Sequence, residues 1–318
     1  MKLVVLDGYT TTRDGLEWNN LKKYGELETY DWTTPEELMG RAKDADALFT
    51  NKVKLGREAF SALPKLKYIG LLCTGKDSVD TEAADEFGIK VTNVPAYAEH
   101  SVPQLAFALI LELCYGIRDH VDYVMADKKW SSHGYNTYWL KPLIGLEGKK
   151  LGVVGMGSIG RNVARIGQAF GMKVIAYDVI RSNLPDVEWA SVEEVIRSSD
   201  FLSLNCPLTK DTEKMINQRT LAMMKPTAYL INTSRGGLVD EAALIDALNN
   251  GVIAGAGLDV IELEPPRADD PLFETKNLII TPHIGWATLE ARQKIIKIVE
   301  DNFSEFYNDY RLGEAGKK

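Results

Sequence analysis

Short apolar runs alternate with amphipathic stretches along the whole chain. In the first third the runs are Leu3–Leu6, Ala47–Thr50, Tyr68–Leu72 and Ile89–Val94, with a weaker one near Leu27–Tyr30. Continuous apolar runs of this length, bounded by turn residues, predict strands buried on both faces of a parallel sheet. The stretches between them carry helix-start signals. Thr34-Pro35-Glu36-Glu37 is a capping box with proline at the first helical position. Asp80 or Thr81 can cap a helix that ends at Phe87-Gly88. Five strands alternating with helices predict a small parallel α/β domain.

A long amphipathic helix is expected from His100 to about Asp127. Residues 128–147 are aromatic and irregular (Trp130, Tyr135, Tyr138, Trp139). A loop of that composition reads as a dimer contact or the wall of a substrate pocket. Strand-like runs resume at Leu151–Val154, Lys173–Tyr177, Phe201–Asn205, Ala228–Asn232, Ala254–Leu258 and Leu278–Thr281. Helical stretches separate them, one capped by Asp240 and ending at Gly251. Thr288–Tyr310 reads as a charged helix able to pack back on the first domain. The fold class expected is α/β, with two doubly wound parallel-sheet domains. The first is flavodoxin-like, and the second is built to bind beyond the carboxyl ends of its strands.

The most informative stretch is 151–178. The run Leu151–Val154 leads into Gly155-Met156-Gly157-Ser158-Ile159-Gly160, then a helical pattern, then a second strand that delivers Asp178. That context turns a weak G-x-G-x-x-G match into a dinucleotide-binding one. Gly155 permits the tight turn, Gly157 lets the backbone approach the pyrophosphate, and Gly160 allows close packing. Free N–H groups at the helix start attract the anion. Asp178 sits where a carboxylate can accept hydrogen bonds from ribose hydroxyls. It favours NAD over NADP, because a 2′-phosphate beside it would bring like charges together. Arg181 is the competing signal.

With 318 residues, 45% of them hydrophobic and 26% charged, the chain has the composition of a two-domain globular protein. A net charge of −8 argues against nucleic-acid or anionic-membrane surfaces. The apolar start MKLVVLDGYT is too short for a signal peptide, and the stretch Leu105–Leu113 is too short to span a bilayer. Cys73, Cys114 and Cys206 are widely spaced and form no C-x-x-C. They fit buried, reduced thiols in a cytoplasmic protein, and no metal site is expected.

Polar residues just beyond the second domain's strands are the candidates for chemistry. They are Asn205-Cys206-Pro207, Thr233-Ser234-Arg235, Asp259, Glu264 and His283. A histidine suits hydride transfer between an alcohol and a ketone, since the alcohol proton must leave as the hydride departs. A neighbouring carboxylate orients the imidazole and favours its protonated form. Glu264 and Glu262 compete for that place. Arg235 can clamp a carboxylate through two parallel hydrogen bonds. The other histidines, His100, His120 and His133, are expected to pack or face solvent.

The chain resembles the D-isomer-specific 2-hydroxyacid dehydrogenases over nearly its whole length. The motifs are Gly155–Gly160, Asn232-Thr-Ser-Arg-Gly-Gly237, Gly257-Leu-Asp-Val260, Glu264-Pro265 and Pro282-His-Ile-Gly285. One departure is Pro266, where many relatives place a small residue. The resemblance implies Arg235 as substrate clamp and His283 as general acid/base, paired with Glu264. It implies that Asp259 meets the nicotinamide carboxamide, and that Cys206, Pro207, Thr212, Thr233, Ser234 and Gly285 line the NAD site. It places the substrate carboxylate on N–H groups near Thr74-Gly75-Lys76-Asp77. It also implies a discontinuous substrate domain (1–99 and 287–318), an NAD-binding Rossmann domain (100–286) and a homodimer.

Within that family three stretches are similar to glycerate dehydrogenases, also called hydroxypyruvate reductases. They are Thr50-Asn-Lys-Val53, Asn93-Val-Pro-Ala-Tyr-Ala98 with Ser101-Val-Pro-Gln104, and His283-Ile-Gly-Trp286. Lys52 then reaches a substrate oxygen and Trp286 caps the pocket, against plain solvent and packing roles for each. The expected reaction interconverts a small D-2-hydroxy acid and its 2-keto acid, with domain closure excluding water. Hydroxypyruvate/D-glycerate is the preferred pair and glyoxylate a further substrate. D-lactate or a bulkier acid is the nearer alternative. An NAD(H)-sensing protein of the corepressor kind is the alternative of another class.

Overall fold

The structure, a computed structural model, describes residues 1–181 and 183–315. These divide into two units, Met1–Tyr97 with the chain from Trp286 onward, and Ala98–Gly285.

The first unit holds strands β1 (Lys2–Val5), β2 (Glu26–Thr29), β3 (Ala47–Thr50), β4 (Tyr68–Leu71) and β5 (Lys90–Thr92). All neighbours are parallel, in the order β2-β1-β3-β4-β5, which is the flavodoxin-like arrangement. Every residue of β3 and β4 is buried, as continuous apolar runs require. The expected capping box forms: Glu37 donates its N–H to Thr34 Oγ1 while its carboxylate accepts the Thr34 N–H. Asp80, not Thr81, caps the helix Thr81–Glu86. The helix Leu289–Ala315 lies on this sheet. Its Phe303 is fully buried and makes ring contacts with Phe49 and Tyr68 at 5.4 and 5.1 Å. Arg292, also buried, pairs with Asp14 at 2.8 Å.

The second unit holds β6 (Lys150–Val154), β7 (Lys173–Tyr177), β8 (Val187–Trp189), β9 (Phe201–Leu204), β10 (Tyr229–Asn232), β11 (Gly255–Leu258) and β12 (Leu278–Ile280). The order is β12-β11-β10-β9-β6-β7-β8. The chain runs outward from β6 in one direction to β8, then crosses back to β9. A switch point therefore lies between β6 and β9, where carboxyl-end loops part and leave a ligand crevice. The edge strand β8 escapes the sequence pattern, because its three residues are only partly buried and carry no apolar run.

The helix expected from His100 to Asp127 is broken. It runs Ser101–Tyr115, turns at Gly116, and resumes as Ile117–Val121 and a π-type turn Asp122–Ala126. Gly116 is left-handed (φ 53°), and a Cβ there would lie 2.7 Å from Lys141 Cε. Glu112 accepts the N–H groups of Ile117 and Arg118, so the second segment starts capped. The axis bends by 55°. Among the described residues no single helix is long and apolar enough to cross a membrane.

Candidate active site

The second unit's carboxyl edge begins with the glycine-rich turn. Gly155 has φ +91°, and a Cβ on it would lie 2.6 Å from the Asn205–Cys206 backbone. Gly160 packs against the Gly155 carbonyl, where a Cβ would clash. At Gly157, the N-cap of helix Ser158–Ala169, a Cβ would meet nothing within 4 Å. The backbone there faces open space, with the helix's first N–H groups behind it. Asp178, directly after β7, accepts the Met156 N–H at 2.5 Å through one oxygen and the Ile180 N–H at 3.0 Å through the other. Its carboxylate is thus fixed against the glycine-rich turn. Arg181 is exposed.

Two side-chain oxygens near the switch point are buried without a hydrogen-bond partner, Asn205 Oδ1 and Thr233 Oγ1. Buried polar atoms of this kind are rare and mark a place where a ligand or water belongs. Asn205 is a candidate that the sequence did not single out beyond its strand-end position. Ser234 donates its hydroxyl to Cys206 O at 2.6 Å, tying the β9 and β10 loops together. Burial pushes the Cys206 thiol up to about 11, so it stays protonated at neutral pH and is no nucleophile. Thr212 braces its own loop by donating to Pro207 O at 2.7 Å.

Three adjacent parallel strands, β10, β11 and β12, bring the remaining polar candidates to one edge. His283 Nδ1 lies 2.6 Å from Glu264 Oε2. A carboxylate can only accept, so Nδ1 carries the proton and Nε2 is the nitrogen left for a ligand. Glu262 does not compete, because it pairs with Lys214 at 3.2 Å. His283 itself is left-handed (φ 54°). An L-residue pays roughly 1 kcal/mol or more for that conformation. The buried carboxylate of Asp259 holds it there, accepting Thr281 Oγ1–H (2.6 Å), Ile284 N–H (2.9 Å) and Gly285 N–H (2.8 Å). This fastening of the histidine turn was not visible in the sequence. Arg235 is exposed and donates to Ser234 O at 2.8 Å. The ion pairs of this region are Lys214–Glu262 and His283–Glu264, and Arg235 is in neither.

A model of the NAD-binding domain of D-isomer specific 2-hydroxyacid dehydrogenases matches residues 107–285. The hydroxypyruvate reductase of Blautia hydrogenotrophica is 42% identical over 312 residues, covering 96% of this chain and 97% of that protein. The chain belongs to the D-isomer-specific 2-hydroxyacid dehydrogenase family. A second relative, the glycerate dehydrogenase of Methylorubrum extorquens, is 38% identical over 307 residues and 96% of both chains. Among solved structures, the TT0316 protein of Thermus thermophilus superimposes with a TM-score of 0.85 at 34% identity, over 95% of each chain. The protein is an NAD-dependent D-2-hydroxyacid dehydrogenase. The open approach at Gly157, the fixed Asp178 carboxylate and the two unpartnered oxygens fit a bound dinucleotide.

In this dehydrogenase two of the other histidines serve the segment after Gly116. His120 accepts the Leu140 N–H at 3.0 Å, and His133 bonds Tyr123 and stacks on Tyr138. His100 is exposed beside Glu99. In the first unit, Thr74 donates its hydroxyl to Val94 O, and Asn93 holds the Thr74 carbonyl. Among the described residues the N–H groups of Thr74, Gly75 and Lys76 find no acceptor. Lys52 is exposed, and Trp286 is half-buried with its ring edge-on to Tyr97.

Proposed function

We propose that this dehydrogenase interconverts hydroxypyruvate and D-glycerate, accepting glyoxylate as well, in the cytoplasm and as a homodimer. The His283–Glu264 pair at 2.6 Å carries the chemistry. The preference for hydroxypyruvate is supported by the two relatives named for that pair of compounds. Arg235, with no carboxylate partner among the described residues, is suited to clamp the keto-acid carboxylate. The unengaged N–H groups at Thr74–Lys76 are donors of the same kind. NADH supplies a hydride to carbon 2 of the keto acid. His283 Nε2 supplies the proton that the carbonyl oxygen takes up, and Glu264 keeps the ring oriented and stabilises its positive charge. In oxidation His283 accepts the alcohol proton.

A panel of hydroxypyruvate, glyoxylate, pyruvate and phenylpyruvate, run with NADH and NADPH, tests the substrate. Hydroxypyruvate should lead pyruvate in kcat/KM, because its 3-hydroxyl gains a polar partner such as Lys52. One satisfied hydrogen bond contributes about 0.5–1.5 kcal/mol, or roughly a twofold to tenfold preference. Phenylpyruvate should be poor if Trp286 caps the pocket. Pyruvate or phenylpyruvate in the lead would move the assignment to another D-2-hydroxy acid. No turnover with any keto acid would favour an NAD(H)-sensing role. A parent enzyme that prefers NADPH would give control of the ribose site to Arg181 in place of Asp178.

The homodimer is supported by the segment that follows Gly116. Met125, Tyr135 and Trp139 are 73%, 77% and 59% exposed, and Met125 lines an apolar surface hollow together with Val121, Val124, Tyr138 and Leu143. Such a surface marks an interaction site. Sedimentation should give the dimer mass, with Met125→Asp shifting it toward the monomer; a monomeric parent would remove the proposal.

A further inference from the structure

The reaction as read so far gives no role to Asp7, a buried carboxylate of the first unit. Asp7 stands two residues beyond β1 and is 5% exposed. One carboxylate oxygen accepts the Asn51 N–H at 2.8 Å and the other accepts the Lys52 N–H at 2.6 Å. Those N–H groups open the turn after β3, the strand next to β1. The following N–H, of Val53, is held by Thr50 Oγ1 at 3.0 Å. Three consecutive N–H groups are therefore fixed by side chains, and the Lys52 side chain between them is exposed. The neighbouring β4 loop joins the same assembly, since the Cys73 thiol reaches both Asn51 O (3.9 Å) and Gly75 O (3.2 Å).

Two neighbouring N–H donors need two acceptor oxygens. A carboxamide offers only one, and its own N–H₂ would face the second donor. The position thus calls for a carboxylate, although burying one is costly. Burial pushes the Asp7 carboxyl up from its ordinary range, and the N–H bonds from Asn51 and Lys52 oppose that shift. Carboxyl-end turns of this kind are where α/β domains hold their ligands.

We infer that Asp7 is a positioning residue for keto-acid recognition, fixing the Asn51–Lys52 turn so that Lys52 presents its ammonium to the substrate. The inference rests on the substrate reading above and adds the means by which the first unit delivers Lys52.

The test is a double-mutant cycle of Asp7→Asn and Lys52→Met, with hydroxypyruvate varied at saturating NADH. Asp7→Asn should raise the KM for hydroxypyruvate about twofold to tenfold, the effect of one lost hydrogen bond. The KM for NADH should stay unchanged. Lys52→Met should raise the keto-acid KM at least as much, and the double variant should match Lys52→Met alone. Additive effects, or an unchanged KM in Asp7→Asn, would overturn the inference. A purely structural Asp7 would lower the melting temperature without this coupling to Lys52. Should Asp7→Asn fail to fold, hydrogen exchange on the parent decides: protected Asn51 and Lys52 amides support the link, and rapid exchange at both removes it. A parent that reduces no keto acid would instead sink the substrate reading, before any variant is made.

Discussion

Replacing His283 with alanine should lower kcat by about 100- to 10,000-fold, the range expected for loss of a positioned general acid/base, while NADH still binds with near-parental affinity. The split follows from where the residue stands. Its Nδ1 is committed to Glu264 at 2.6 Å, so Nε2 alone is left to exchange a proton. The glycine-rich turn and Asp178 lie on other strands, and none of their hydrogen bonds runs through His283. Alanine also removes a side chain whose backbone conformation is set by Asp259, and that carboxylate keeps its bonds to Thr281, Ile284 and Gly285. The turn should therefore persist. Stopped-flow turnover with a parallel NADH fluorescence titration separates the two quantities. Parental kcat in His283→Ala would mean that another group moves the proton, and loss of NADH binding would mean that the residue acts on the cofactor.

Arg235→Lys should lower kcat/KM for keto acids by about tenfold to hundredfold, with the NADH dissociation constant little changed. Both residues are cationic, so net charge is constant and the comparison isolates geometry. A guanidinium offers a planar fork to a carboxylate, whereas an ammonium is a point charge that makes one good hydrogen bond at a time. A lost charge-assisted hydrogen bond costs about 1.5–3 kcal/mol, which sets the expected range. Among the described residues the Arg235 guanidinium bonds the neighbouring Ser234 carbonyl and joins no ion pair that would compete for the fork. Unchanged keto-acid kinetics would transfer the clamp elsewhere, with Lys52 the first residue to examine.

Much of this was legible in the sequence because it is written in short spacings. Strands β3 and β7 coincide with the apolar runs Ala47–Thr50 and Lys173–Tyr177. The caps at Thr34 and Asp240 are formed by side chains three residues from their targets. The glycine-rich turn follows its strand directly and needs no distant partner to be recognised. His283 and Arg235, each three residues past its strand end on β12 and β10, could be singled out for the same reason.

What the sequence could not order was anything fixed by partners far along the chain. Composition and spacing leave Glu262 and Glu264 equivalent, and the family resemblance alone named Glu264. The loop's path sends one to Lys214 and the other to His283. Gly116 sits inside an apolar pattern that reads as continuous helix, and the chain breaks there with Lys141 packed over the glycine. Asp7 and Lys52 are separated by 45 positions, yet share a hydrogen bond. Periodicity along a strand determines which face is buried, while the lateral order of strands determines which loops become neighbours. Local spacing thus determined the elements and the residue types at their ends. The tertiary structure, through strand order and loop path, brought Glu264 rather than Glu262 to the histidine, and it alone decided which carboxylate holds the Lys52 turn.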